Sequence, residues 1–216
     1  MNITSDALLT DLYELTMAQA YLAQGMTDIA VFEFFVRKLP PQRNFFMAAG
    51  LEQVLSYLEA FQFSDADIAW LDQTGGFSAS SLDALRAMRF TGEVHAMPEG
   101  SLFFPHEPIL RITAPLPQAQ LVETRVMNLL NFQTMVASKA CRSVLVAGDK
   151  PLIDFGLRRA HGAEAGLLAA RAAYLAGLAG TSNVSAGARF GIPIYGTMAH
   201  LFVQAHLDEA EAFIHI

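Results

Sequence analysis

The sequence predicts an α/β protein in two parts: an α+β N-terminal region, then the opening β/α units of a parallel sheet or barrel. From Lys150 onward, short apolar runs and helical patterns alternate with connections of only a few residues, which forces parallel strands with helices outside. Before Lys150 the order differs, with amphipathic helices preceding a group of short apolar runs broken by proline and glycine turns. The expected division is 1–116 for the N-terminal region, with a small antiparallel sheet, and 117–216 for a long helix plus the β/α units.

In chain order, Leu8, Leu9, Leu12, Leu15, Met17, Ala18 and Tyr21 recur at helical spacing, with Ser5 as the N-cap and Gly25 as the stop. Ala30 to Val36 has strand composition, and two prolines keep Arg37 to Arg43 out of regular structure. Leu51, Val54, Leu55, Leu58 and Phe61 mark a second amphipathic helix, and shorter helices are expected over Asp65 to Leu71 and Ser81 to Met88. Between Glu93 and Ala114 the runs Val94 to Met97, Leu102 to Phe104 and Ile109 to Thr113 predict a small antiparallel unit. Pro117 opens a long helix reaching Ala147, with Leu121, Val122, Met127, Leu129, Leu130, Met135 and Val136 on its apolar side. There follow strand Leu152 to Phe155, helix Glu164 to Leu178, strand Ser182 to Val184, helix Ala186 to Phe190, strand Ile192 to Tyr195 and helix Ala199 to Phe213.

Composition narrows the function. A chain of 216 residues, 53% hydrophobic, can bury a sizeable core. Its net charge of −7, with no run of lysines or arginines, argues against a nucleic-acid surface. The single cysteine, Cys141, cannot form an internal disulfide, and Met1 to Asp6 lacks a basic leader, so a cytoplasmic location is expected. No apolar run reaches the roughly 18 to 20 residues of a membrane span, and the alanine-rich stretch from Leu167 to Leu178, interrupted by Arg171, reads as a buried helix.

Three strand ends carry the chemistry: Leu152 to His161, Gly180 to Val184 and Gly196 to His200. Each delivers polar, cationic or imidazole groups to the carboxyl end of a parallel strand, where small anionic ligands bind in α/β folds. Arg158 and Arg159 can grip phosphate oxygens with bidentate guanidinium forks, though Arg-Arg after a strand also suits a solvated loop or an ion pair. Phe155 suits one face of an aromatic sandwich or core packing, and Thr197 an N-cap or a substrate hydroxyl. Ser182 and Asn183 can orient His200 or a phosphate, or bond to neighbouring backbone. His161, His206 and His215 form no metal-ligand spacing, so no protein metal site is expected.

With Thr10 to Met17, Phe32 to Lys38, Ala48 to Leu51, Pro98 to Gly100, Glu123-Thr124 and Asn131 to Thr134, the strand-end motifs occur in an order that resembles the N-terminal half of nicotinate phosphoribosyltransferases. The resemblance implies an incomplete type II phosphoribosyltransferase barrel and an enzyme that joins nicotinate to phosphoribosyl pyrophosphate in NAD salvage. It implies that His200 is phosphorylated by ATP, with Mg²⁺ arriving on ATP and pyrophosphate. It places Arg158 in the nicotinate and phosphoribosyl pocket and Thr197 against nicotinate, with Phe155 opposing Tyr13 from the partner subunit of a homodimer that shares the site. Many relatives have serine where this chain has Leu201, a change expected to weaken ATP coupling. Relatives are longer, and a truncated or split gene product is expected, with a second chain completing the barrel or the fragment surviving as an inactive dimerising module. Quinolinate and nicotinamide phosphoribosyltransferases are related alternatives with poorer N-terminal matches.

Overall fold

The computed structural model describes residues 6–214, and it separates the chain into an antiparallel and a parallel β system joined by one long helix. Helix α1, Leu12–Ala23, begins four residues later than Leu8, and the expected cap Ser5 lies outside the described residues. Its inward face is also turned from the apolar stripe. Glu14, Leu15 and Ala18 are buried while Leu9, Leu12 and Met17 are exposed. The cause is polar: the Glu14 carboxylate accepts from the Thr124 amide at 3.1 Å and hydroxyl at 2.9 Å, and the Thr10 hydroxyl also donates to it. A buried carboxylate must find such donors, so they decide which face points in.

Strands β1 (Ile29–Phe34), β3 (Glu93–Ala96) and β5 (Leu110–Pro115) form a three-stranded antiparallel sheet in the order β1-β5-β3. The register pairs Val31 with Thr113 and His95 with Arg111. The expected unit over 93–114 is therefore not self-contained. Strand β4 (Leu102–Phe103) pairs instead with β2 (Phe46–Met47), a strand too short to carry any periodicity. Phe46 and Phe103 stack at 5.4 Å there, both fully buried.

Helices α2 (Leu51–Glu59), α3 (Asp65–Gln73) and α4 (Ala79–Ala87) follow their apolar spacing. Ser64 and Asp67 close a capping box at α3, and the Ser78 hydroxyl caps α4. Val54, Leu58, Leu71 and Leu85 from these helices meet Leu129 and Leu130 in the main core, each contributing about 1.5–3 kcal/mol.

The single helix expected from Pro117 is two, α5 (Leu116–Leu121) and α6 (Glu123–Ala147), broken at Val122. Thr124 spends its amide on Glu14, which leaves the helical ladder open at the break. Met127, expected on the apolar side, is exposed, whereas Arg125, Gln133, Thr134 and Ser138 are buried.

In the second half, β6 (Ile153–Asp154) pairs in parallel with β7 (Gly180–Thr181), and Thr181 bridges in parallel to Ile194. Helix α7 (Ala163–Leu175) connects β6 to β7, and α8 (Val184–Phe190) precedes the third strand segment. The middle strand lies earlier than Ser182 to Val184 because Asn183 leaves it to cap α8, its side-chain oxygen accepting from the Ala186 amide at 3.2 Å. The expected terminal helix is likewise two, α9 (His200–Gln204) and α10 (Glu209–Ile214). Asp208 stops continuity by taking the Ala210 amide at 2.8 Å. No helix among the described residues is long and apolar enough to cross a membrane.

Arg171 of α7, 8% exposed, ties the two systems together. Its guanidinium binds both oxygens of Glu99 at 2.9 and 2.6 Å and also pairs with Glu52 at the start of α2. Glu99 in turn accepts from the amides of Gly50 and Leu51. Burial alone would raise the Glu99 carboxyl, but Arg171 and the two amides outweigh it and hold the group below its ordinary value. Its stabilising contribution is therefore present above the unfolded pKa and is lost as pH falls through the lower folded pKa. Glu99→Gln is expected to cost about 3–5 kcal/mol at neutral pH by leaving Arg171 incompletely paired. Urea melts at pH 7 and at acid pH check this: the difference between the two proteins should shrink in acid.

Candidate active site

The three strand-end motifs converge on one open cleft of about 830 Å³. Phe155, Arg158 and Arg159 reach it from the end of β6, Ser182 from the end of β7, and Thr197 and His200 from the segment after the third strand. Parallel pairing brings these ends together: the Ser182 amide donates to the Asp154 carbonyl at 2.8 Å, and the Tyr195 amide to the Thr181 carbonyl at 2.9 Å.

The arginines sit in a single 3-10 turn, Leu157–Arg159. The turn is seated through Leu157, which packs so closely on Gly166 of α7 that an added Cβ there would lie 2.5 Å from the leucine Cδ1. Neither arginine has an ion-pair partner among the described residues, so both guanidinium groups stay available to a ligand. Beneath the turn, Asp154 accepts from the Gly156 amide at 2.9 Å and from the Thr181 hydroxyl at 2.8 Å. This carboxylate fixes the loop that carries the arginines to the neighbouring strand.

Thr197 does not cap the final helix, where Ala199 is the boundary residue. His200 is the first residue of α9 and is exposed to the cleft, followed by a Leu201 that is 74% exposed. Two expected residues do not line this cleft, Tyr13 being expected there only from a partner subunit. Asn183 is 3% exposed and serves as the α8 cap, since a short polar side chain at a strand-to-helix turn finds an amide nearby before it finds a ligand. Tyr13 lies on α1, half exposed, 3.4 Å from the Glu14 carboxylate, and does not line the cleft of its own chain. Burial and the carboxylates of Glu123 and Glu14 raise its phenol.

Sequence reasoning missed Leu157, Ile194, Tyr195 and Met198, all of which line the cleft. Their signal was adjacency to the motifs, which spacing alone does not convert into direction. Among the described residues, no group of three histidine, cysteine or acidic side chains could hold a metal ion.

Parallel strands bring two arginines, a threonine and a histidine together at their carboxyl ends, the place where α/β and barrel folds carry small-molecule sites. Comparison with known proteins makes the assignment particular. Residues 8–131 match the nicotinate phosphoribosyltransferase N-terminal domain and residues 151–213 the nicotinate phosphoribosyltransferase family. The pncB2 nicotinate phosphoribosyltransferase of Mycobacterium tuberculosis is 54% identical over 96% of this chain, and the nicotinate phosphoribosyltransferase of Bacillus subtilis 46% identical over 96%. The structure of human nicotinic acid phosphoribosyltransferase superposes with a TM-score of 0.83 at 41% identity, covering 91% of this chain and 40% of the human one. A Pyrococcus furiosus structure described as nicotinate-nucleotide pyrophosphorylase gives 0.76 at 25% identity, covering 96% and 46%. The chain belongs to the nicotinate phosphoribosyltransferase family. It spans 45% of the M. tuberculosis relative and 42% of the B. subtilis one.

Removing the α8 cap separates folding from binding. Asn183→Ala is expected to lower stability by about 0.5–2 kcal/mol while Arg158 and His200 keep their places. Thermal melts, with pyrophosphate binding measured below the transition, test this.

Proposed function

We propose that the chain supplies the strand-end wall of a nicotinate phosphoribosyltransferase. The reaction joins nicotinate to phosphoribosyl pyrophosphate, releases nicotinate mononucleotide and pyrophosphate, and is coupled to ATP hydrolysis through a phosphohistidine at His200. The observation that carries this reading is the convergence of Arg158, Arg159, Thr197 and His200 on one cleft.

In this reading the pyridine nitrogen attacks the anomeric carbon of the ribose as the bond to pyrophosphate breaks. Negative charge gathers on the departing pyrophosphate, and preorganised cations stabilise it most. Arg158 and Arg159 suit that task because no carboxylate of the described chain competes for them. The Thr197 hydroxyl orients the nicotinate carboxylate, the Phe155 ring packs on the pyridine face, and Ser182 lies between the arginine-bearing end of β6 and the segment that carries Thr197 and His200. The His200 imidazole, open to the cleft, takes the γ-phosphoryl group of ATP on a ring nitrogen as ADP leaves. Mg²⁺ arrives with the nucleotide and pyrophosphate and would shield their charge.

The opposite wall of the pocket comes from outside these residues, from further polypeptide or a second chain. Tyr13, which does not line the cleft of its own chain, enters from a second copy in a shared-site homodimer. The reaction is one of cytoplasmic NAD salvage.

Incubation with γ-labelled ATP and Mg²⁺ tests the histidine. The chain should acquire an acid-labile, base-stable label that His200→Asn abolishes, and an unlabelled wild-type chain would remove the phosphohistidine step. Arg158→Ala should weaken pyrophosphate binding about ten- to hundredfold, as loss of charge-assisted hydrogen bonds requires, and calorimetric titration reads this directly.

A further inference from the structure

A second cavity, of about 180 Å³, opens where α2, α6, α7 and the end of α8 meet, and it shares no lining residue with the strand-end cleft. Leu129, Leu167, Leu168 and Phe190 give it apolar walls. Two polar groups of α2 interrupt them. Gln53 and Tyr57 stand four residues apart on one face of the helix, and both line the cavity. Tyr57 is 1% exposed, and neither its hydroxyl nor the side-chain carbonyl oxygen of Gln53 has a hydrogen-bond partner among the described residues, although both atoms are buried.

A buried donor or acceptor left unmatched costs stability, so each such group calls for something that meets it. Here the two needs are opposite. The Tyr57 hydroxyl is a free donor, and burial pushes its phenol well above the ordinary value, so it keeps its proton at neutral pH. The Gln53 oxygen is a free acceptor. A carboxylate answers only the first, since it brings no N–H and sets an oxygen against that of Gln53. A primary carboxamide answers both, its carbonyl accepting from Tyr57 and its N–H donating to Gln53. The ions around the cavity leave no buried charge for a ligand to neutralise: Glu52 pairs with Arg171, Glu164 pairs with Arg125, and Arg189 is exposed to solvent. Size calls for a small body, because the volume is about six times the ~30 Å³ share of one water in the liquid.

We propose that this cavity is a binding site for a small primary carboxamide on an apolar body, held by Tyr57 and Gln53. The site does not depend on the nicotinate reading of the cleft, with which it shares neither residues nor ligand charge.

Ligand-observed NMR titration of the whole chain with benzamide and with acetophenone tests it. Benzamide offers both donor and acceptor, acetophenone the acceptor alone. The wild type should bind benzamide about fivefold more tightly than acetophenone, and Arg158→Ala should leave benzamide binding unchanged because the cleft takes no part. Tyr57→Phe should weaken benzamide about five- to tenfold, as the loss of one hydrogen bond requires, and Gln53→Met should weaken benzamide while sparing acetophenone. A wild-type chain that binds no benzamide, or binds the two probes equally, overturns the site whether or not either variant folds. So does a folded Tyr57→Phe chain that binds benzamide as the wild type does. Displacement of benzamide by benzoate or pyrophosphate would place it in the strand-end cleft and would also overturn the site, while leaving the nicotinate reading untouched.

Discussion

The position of α7 depends on one buried cation. Arg171 lies in an alanine-rich helix whose other buried side chains are Leu168, Ala170, Ala172 and Ala173, with Leu167 and Leu175 partly buried beside them, so the apolar face is mostly methyl groups and the charged contacts add direction to it. Its guanidinium reaches the Glu99 turn and the first turn of α2, while Glu99 holds the amides at which α2 begins. The Phe190 ring lies 5.9 Å from the guanidinium and covers it from α8. Charge desolvation makes this arrangement unforgiving, since a partly paired buried arginine costs more than a misplaced methyl group. With α7 fixed, Gly166 is fixed, and so is the Leu157 turn that presents Arg158 and Arg159.

The same rule operates at the element boundaries. The Thr124 amide goes to Glu14 and a long helix breaks at Val122; the Asn183 side chain takes the Ala186 amide and a strand ends early; Asp208 takes the Ala210 amide and the terminal helix divides. In each case a side chain competes with the backbone for a single donor. Glu14 also carries a lasting tension: burial raises its carboxyl, hydrogen bonds from Thr10 and Thr124 lower it, and the nearby Glu123 raises it again, leaving it above its ordinary value. It thus favours the folded state most at low pH and progressively less as pH rises through its folded pKa, opposite in sign to Glu99.

Much of this architecture was legible in the sequence. Helical spacing located α2, α3 and α4, and the alternation after Lys150 predicted parallel strands whose ends would meet. The cleft residues Phe155, Arg158, Arg159, Ser182, Thr197 and His200 could be named in advance because their motifs sit at strand termini. Strand β2 could not be, since two residues have no period, nor could the inward turn of Glu14, whose donors include the amide and hydroxyl of Thr124, more than a hundred residues away. Tyr195 was equally hidden. Its spacing marked it as the end of a strand, and only the packed structure shows its ring against Gly180 and in the cleft.

The sequence by itself determined the types and order of the longer elements and the polar groups delivered to the strand ends, because these follow from local periodicity and turn chemistry. Tertiary structure alone decided where helices break, which face of α1 is inside, that Asn183 caps a helix and does not line the cleft, and that the Tyr195 ring lies against Gly180. Each of those outcomes depends on a partner distant in sequence, and the cost of leaving a buried donor, acceptor or charge unmatched selects among backbones that local preference would otherwise allow.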